Sequence, residues 1–278
     1  MQDIRSYIGR CRAQYTGSTA GWNSETGCIL KAFIDLYRAA GDPADRQFAL
    51  DRIKSMVDAD GSIPGPEPGG GPGIFSCGGA LLFALDEMGD ERYRKAADHL
   101  HARLGAPADA ITRSGRSLPY CLYMTQPFRA GYDRRFLSGL EAAGIAGQFR
   151  AAHESMSLSG LTETGLYLMA LADCIGQMAE QLYEHRRLLM DLFLEACRGV
   201  LPLADPETGL FGQTESSAMI AYALMKGVRL GLLDPERYLA PGLTAFRSLA
   251  AREPDQDGGG IWFIMAWSEY ITAREREM

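Results

Sequence analysis

The sequence repeats one pattern six times: a short polar or glycine-containing segment is followed by a long apolar run at helical spacing. The residues that mark the six starts are separated by 52, 43, 43, 52 and 43 positions; they are Glu25, Cys77, Tyr120, Glu163, Glu215 and Gly258. A period of this size accommodates one pair of helices, and we find no convincing alternation of apolar and polar residues that would indicate a sheet. The repeat therefore predicts an all-α chain of six helical hairpins.

Segments between the apolar runs have a different character. Residues 45–57, 91–104 and 235–251 read as amphipathic helices with a charged outer face. An irregular bundle or an open solenoid has the same local pattern. The count of six, and the apolar character of the marked helices nearly all round, favour closure into an inner ring covered by an outer ring. We therefore predict an (α/α)6 barrel, built as one domain over 1–278 because no linker-like boundary interrupts the sequence.

Charge and composition argue against several classes of function. The formal net charge is -7 and no basic stripe is present, which argues against nucleic acid as a partner. No apolar run approaches the roughly 20 residues of a membrane span, and no apolar signal segment begins the chain, so we expect a cytoplasmic protein. Its six cysteines lack a CxxC pair and are expected to be reduced. Its four histidines lack zinc-site spacing, so no metal or other cofactor is predicted, and the oligomeric state stays open.

In such a barrel all inner helices begin at the same end, so the marked residues are expected to converge there. Helix N-termini carry partial positive charge and free N–H groups, which favour an anionic or hydroxyl-rich ligand. The pattern thus predicts a central pocket for a small molecule such as a sugar or a sugar acid.

Three carboxylates recur at these starts, namely Glu25, Glu163 and Glu215. Each alone is most simply a helix-capping acid. As a ring of three they become catalytic candidates, because glycosidic hydrolysis needs one group that donates a proton and one that activates water. Tyr120 is a further candidate, as proton donor. Asp86 and Asp173 lie about two turns into their helices, where we expect them to face outward rather than to form a pocket floor.

Aromatic residues at the same end are candidates for substrate binding, since such rings commonly stack on sugar faces. Tyr120 is one of them; the others, with one methionine, are Trp22, Tyr123, Met124, Tyr167 and Trp262. The Gly/Pro-rich stretch 64–73 before the second inner helix is either an ordinary loop or a lid.

Four segments are similar to the inner helices of one enzyme family: 217–234 most clearly, then 80–93, 122–128 and 258–269. On these segments the chain resembles the unsaturated glycuronyl and rhamnogalacturonyl hydrolases of glycoside hydrolase families 88 and 105. The resemblance implies an (α/α)6 barrel. It also implies metal-free chemistry in which an aspartate protonates the C4–C5 double bond of an unsaturated uronic acid and activates water.

The family's catalytic aspartates do not recur here. One falls on Tyr120 and the other near Gly73, and the family's Arg-Gly-Asn-Gly-Trp element is replaced by Thr-Glu-Thr-Gly-Leu at 162–166. Three functions therefore stay open. The favoured one is a carbohydrate-active enzyme that acts on a small uronic-acid glycoside with displaced acids. The others are an inactive or repurposed barrel that binds a small polar ligand or a protein partner, and an isomerase or lyase on a non-sugar substrate.

Overall fold

Twelve α-helices occur in the part of the chain that the structure, a computed structural model, describes: residues 2–17, 21–64, 71–104, 115–156, 160–252 and 260–275. The six inner helices are α2 (Ser24–Ala40), α4 (Gly78–Met88), α6 (Leu118–Tyr132), α8 (Leu161–Gln177), α10 (Thr214–Arg229) and α12 (Gly260–Glu275). The six outer helices are α1 (Gln2–Gly17), α3 (Pro43–Lys54), α5 (Glu91–Ala102), α7 (Ala142–Ser155), α9 (Tyr183–Val200) and α11 (Pro235–Ala250). These residues contain no strand, which confirms the all-α prediction.

The inner helices form a closed ring. Each packs against the next, and α12 packs against α2. A 3-10 turn over Pro72–Cys77 precedes α4. This turn packs against α2 and α6 more extensively than α4 itself does. The closure confirms the (α/α)6 barrel and excludes the irregular bundle and the open solenoid.

The sixth helix pair consists of the first and the last helix of the described chain, α1 and α12. Besides α11, the outer helix α1 packs beside α12, and its Tyr7 ring meets the Phe263 ring edge to face at 5.8 Å. A Cβ atom added to Gly260 would lie 2.5 Å from the Tyr7 hydroxyl, so α1 passes very close to the start of α12. The periodic pattern did not predict α1, although it predicted that a sixth outer helix was needed.

Side-chain caps and glycines set where the helices begin and end. Asn23 accepts a hydrogen bond from the Thr26 N–H at the start of α2, and Asp42 and Asp90 cap α3 and α5 in the same way. Gly41 ends α2 in the left-handed conformation, at a φ of 70°.

Because inner and outer helices alternate along the chain, all inner helices run in one direction. We call the end where they begin the N-terminal end of the barrel, and the other the C-terminal end.

The predicted start marker Gly258 and residues 65–70 of the proposed lid lie outside the described residues. Within the described residues, no helix is both long and apolar enough to cross a membrane.

Candidate functional site

Tyr120, on which one aspartate of the resembling family falls, and Gly73, near which the other falls, lie side by side at the N-terminal end. Gly73 belongs to the 3-10 turn before α4, and Tyr120 lies in the first turn of α6. A Cβ atom on Gly73 would lie 3.3 Å from the Tyr120 hydroxyl and 2.9 Å from Cβ of Ser24. The starts of α2, α4 and α6 therefore meet here, and position 73 has no room for a larger side chain unless Tyr120 or Ser24 moves.

Glu163, in the first turn of α8, is connected to the same place by Ser117. The Ser117 hydroxyl donates a hydrogen bond to Oε2 of Glu163. The same hydroxyl oxygen caps α6 by accepting from the Tyr120 N–H at 3.4 Å. Glu163 is half-buried. The structure thus links the first turns of α6 and α8, which carry two of the predicted catalytic residues, through the Tyr120 backbone N–H, Ser117 and Glu163.

The other two predicted acids are placed differently. Glu215 is half-buried at the start of α10, and the turn before it packs against α8, since a Cβ on Gly212 would lie 2.9 Å from Cδ1 of Leu161. Glu25 is exposed on α2, near Tyr15 and Arg52 of the outer helices. Burial, Cys11 and Glu25 together raise the pKa of Tyr15. The expectation for Glu25 is therefore corrected, because this residue lies beside the outer helices, whereas the convergence of Glu163 and Glu215 stays a prediction.

Two of the predicted substrate-binding aromatics are packing residues. Trp22 is buried, and its indole N–H donates to the Ile74 carbonyl at 2.9 Å, which attaches the segment before α2 to the 3-10 turn. Tyr167 is fully buried between α8 and α7, where its hydroxyl lies 3.2 Å from the Phe149 carbonyl oxygen and 3.2 Å from Nδ1 of His153. The expectation that they line the pocket is corrected, because both polar atoms are used in contacts between elements.

Tyr123 and Met124 line a cavity along the barrel axis, and the Trp262 ring lies 5.6 Å from the Tyr123 ring. The cavity measures about 120 Å³. This is room for a few water molecules and much less than the ~300 Å³ or more of a typical ligand pocket. A ligand of ordinary size therefore does not fit inside the axial cavity.

Cys28 also lines this axial cavity. Burial raises the pKa of its thiol to about 12, with Lys31 acting in the opposite direction. The thiol is therefore neutral at physiological pH and is not an activated nucleophile.

Toward the C-terminal end, the wall of the axial cavity contains a buried ionic network that the sequence pattern did not reveal. Lys31 Nζ contacts Asp35 and lies 3.2 Å from Oδ2 of Asp173. The Tyr222 hydroxyl donates to Asp173 at 2.7 Å and receives hydrogen bonds from Lys31 at 2.9 Å and Lys226 at 2.7 Å. Lys226 also pairs with Asp173. The network connects α2, α8 and α10 across the barrel.

The electrostatics of this network favour its ionised state. Burial alone would raise the pKa values of Asp173 and Asp35, but the neighbouring lysines lower both below the usual range. Burial opposes the charge of Lys31 as well, yet Asp173 and Asp35 raise its pKa above the usual value. Burial and the two aspartates raise the pKa of Tyr222. These shifts keep Asp173, Asp35 and Lys31 charged and Tyr222 neutral near neutral pH, so these groups hold the barrel together through ion pairs and hydrogen bonds.

The network corrects the expectation for Asp173, which is buried and only 6% exposed. Asp86, by contrast, is exposed as expected, and it pairs with Arg135 at 2.6 Å. A sequence signal for Asp173 did exist. Asp173 is the one acid in the segment from Leu166 to Ile175, whose other residues are apolar or small. The whole segment is buried, and a charge in such surroundings needs a partner. In the described residues, no group of three or more His, Cys, Asp or Glu side chains could hold a metal ion.

The fold is shared with solved structures of carbohydrate-active enzymes. A family 105 glycoside hydrolase from C. acetobutylicum ATCC 824 matches with a TM-score of 0.81 at 21% identity, over 96% of this chain and 99% of that one. A polysaccharide lyase matches with a TM-score of 0.78 at 14% identity, over 98% and 96%. A family 88 glycosyl hydrolase from Bacteroides vulgatus matches with a TM-score of 0.75 at 11% identity, over 98% and 99%.

These likenesses confirm the resemblance to families 88 and 105 at the level of the fold. No family model matches the sequence, and no curated protein is detectably similar to it. At 11–21% identity, these likenesses show a shared (α/α)6 fold.

Proposed function

We propose that this chain is a carbohydrate-active enzyme that cleaves a small uronic-acid glycoside at the N-terminal end of the barrel. One observation carries the proposal. Ser117 accepts a hydrogen bond from the Tyr120 backbone N–H and donates one to Glu163, which joins the first turns of α6 and α8, and these turns carry a candidate proton donor and a carboxylate where the resembling family has a catalytic aspartate. The glycoside hydrolase fold supports the same substrate class.

In the proposed hydrolysis, Glu163 takes a proton from water as the water oxygen bonds to the sugar carbon. The Tyr120 hydroxyl gives its proton to the departing oxygen, and a tyrosine is an accepted general acid in such steps. Glu215 is proposed as the second carboxylate at this end of the barrel, and Trp262 and Tyr123 as apolar surfaces against the sugar.

Positive charge near Tyr120 supports an acidic sugar as substrate. The Arg116 guanidinium lies 5.5 Å from the centre of the Tyr120 ring. The N-termini of α6, α8 and α10 point their free N–H groups toward the same end. A carboxylate on the substrate is attracted by both.

The test is a screen of saturated and unsaturated uronic-acid oligosaccharides, followed by the variant Glu163→Gln. The substitution keeps the shape and removes the base, so we expect kcat to fall by about 10² to 10⁴. Glu236→Gln, which alters an exposed acid in the first turn of the outer helix α11, is the matched control. A Glu163→Gln variant that turns over at the rate of the unmodified protein removes Glu163 from the mechanism.

A second candidate is a lyase that eliminates the glycosidic bond of a saturated uronic acid. It is favoured by the polysaccharide lyase among the structural neighbours and by the tyrosine hydroxyl at position 120. Tyr120 would take the proton next to the carboxylate, and the bond to the leaving oxygen would break as the double bond forms.

One assay separates these candidates. Hydrolysis of an unsaturated glycuronide lowers the ultraviolet absorbance of the C4–C5 double bond, whereas elimination from a saturated chain raises it. Thermal stabilisation by a sugar acid with neither product would instead identify a binding protein.

A further inference from the structure

The C-terminal end of the barrel contains a second cavity, of about 330 Å³. Its walls come from the last turns of α2, α8, α10 and α12, together with Arg135 from the turn after α6. Asp173 in its floor lies ten residues after Glu163 on α8, which corresponds to about 15 Å along the helix. The cavity is thus well separated from the site proposed above.

The acids inside this cavity are already paired. Asp35 and Asp173 belong to the ionic network with Lys31 and Lys226. Glu269 is buried and accepts two hydrogen bonds from Arg229, at 2.6 and 2.7 Å. The floor and one wall therefore carry balanced charge.

The rim carries charge that is less completely balanced. Arg38, at the end of α2, exposes 52% of its side chain and lies 3.9 Å from Oδ1 of Asp35, beyond hydrogen-bonding distance. Arg135 reaches the rim from the turn after α6, and its guanidinium is held in place by Asp86 and by the Gly131 carbonyl. Both arginines border this cavity and also the axial cavity.

Counted with their partners, five basic side chains meet four acidic ones around this cavity. The basic ones are Lys31, Arg38, Arg135, Lys226 and Arg229, and the acidic ones are Asp35, Asp86, Asp173 and Glu269. This local positive excess occurs in a chain with a net charge of -7. The helix carbonyl ends explain why basic residues gather in these last turns. The carbonyl ends do not explain why an open cavity of about 330 Å³, the size of a small-ligand pocket, is bordered by two arginines.

We propose that this cavity is a binding site for a small oxyanion, a phosphate or a carboxylate, with Arg38 and Arg135 as its principal contacts. Guanidinium groups bind such groups through paired N–H donors. Arg38 supplies donors that Asp35 does not occupy at 3.9 Å. Arg135, whose orientation is fixed by Asp86, supplies donors from the turn after α6. The site is independent of the reaction proposed at the other end of the barrel.

The experiment is calorimetric titration of the full chain with inorganic phosphate and, separately, with galacturonate, in chloride buffer of matched ionic strength. We expect saturable binding of at least one of the two, and the one that binds more tightly identifies the source of the oxyanion. Arg38→Gln should weaken it about tenfold, with Arg38→Lys intermediate. Arg187→Gln, which alters an exposed arginine on α9, is the matched control and should bind as before.

Two results would overturn the proposal. One is the lack of saturable binding of either anion to the unmodified protein. The other is equal affinity in Arg38→Gln and the unmodified protein. The variant Tyr120→Phe locates the site: unchanged anion affinity supports the C-terminal cavity, whereas a loss would place the anion at the N-terminal end and refute it. Failure of sugar turnover leaves all of these outcomes unaffected, so the two proposals are tested separately.

Discussion

The hydroxyl of Tyr120 lies 3.3 Å from the point where a Cβ atom on Gly73 would stand. The two residues are 47 positions apart in the sequence, and they meet because the 3-10 turn before α4 packs on the first turn of α6. The contact leaves no room for a larger side chain at position 73 unless Tyr120 or Ser24 moves.

Gly73→Ala should test that contact. The new methyl group would also meet Ser24, at 2.9 Å, and crowding of this kind costs about 1–3 kcal/mol in the free energy of unfolding. We expect Tyr120→Phe to relieve part of the cost, so a double-mutant cycle should show a coupling of at least ~0.5 kcal/mol. Gly79→Ala, where a Cβ meets nothing within 4 Å, is the control and should not destabilise the protein. Strictly additive effects would contradict the contact.

The buried network predicts a large difference between two similar substitutions. Asp173→Asn leaves Lys31 and Lys226 buried with only Asp35 as a carboxylate partner, so we expect the free energy of unfolding to fall by about 3–5 kcal/mol. Asp86→Asn breaks an ion pair whose carboxylate is 48% exposed, and we expect a loss of about 0–1 kcal/mol. Urea denaturation measures both. Similar losses for the two variants would mean that Asp173 is not buried in an ionised network.

An ion pair between the turn after α6 and α6 itself should contribute to stability against acid. Glu141 lies 2.8 Å from the Arg129 guanidinium and 3.2 Å from His101. Burial opposes its charge, but hydrogen bonds from His101 and Arg129 lower its pKa from 4.5 to about 2. A lowered pKa in the folded state stabilises the protein above pH 4.5, and this contribution is lost as the pH falls toward 2.

Glu141→Gln should therefore lower the free energy of unfolding at neutral pH and flatten its decline between pH 4.5 and 2. Urea denaturation across this range measures the slope. Glu236→Gln, an exposed acid, should keep the slope of the unmodified protein. A Glu141→Gln variant with an unchanged slope would show that the pair does not hold the carboxylate ionised.

The cysteine thiols should react slowly with thiol reagents in the folded protein. All six cysteines are buried with free thiols, and burial raises the pKa of Cys28 and of Cys77 to about 12. We expect a thiol reagent to label none of the six rapidly in buffer and all six in urea. Fast labelling of Cys28 in the native protein would show that the axial cavity opens to molecules larger than water.

The sequence alone was sufficient for the architecture. Six apolar helices at a spacing of 43 or 52 residues, alternating with amphipathic ones, determine an inner and an outer ring, because each apolar face has to be covered. The direction of the inner helices, and hence the end at which their first turns gather, follows from the same alternation. What the pattern did not contain was α1, since the segment that completes the sixth pair lies at the opposite end of the chain.

Only the tertiary structure decided which side chains meet. Glu25 and Glu163 occur in nearly identical segments, Ser-Glu-Thr-Gly and Thr-Glu-Thr-Gly, yet one is exposed beside the outer helices and the other is bound by Ser117. Asp86 and Asp173 divide in the same way between solvent and the barrel interior. Local sequence sets the period of a helix and the width of its apolar face. The neighbours of a given side chain depend on how each helix is rotated within the ring, and contacts between residues far apart in the chain determine that rotation.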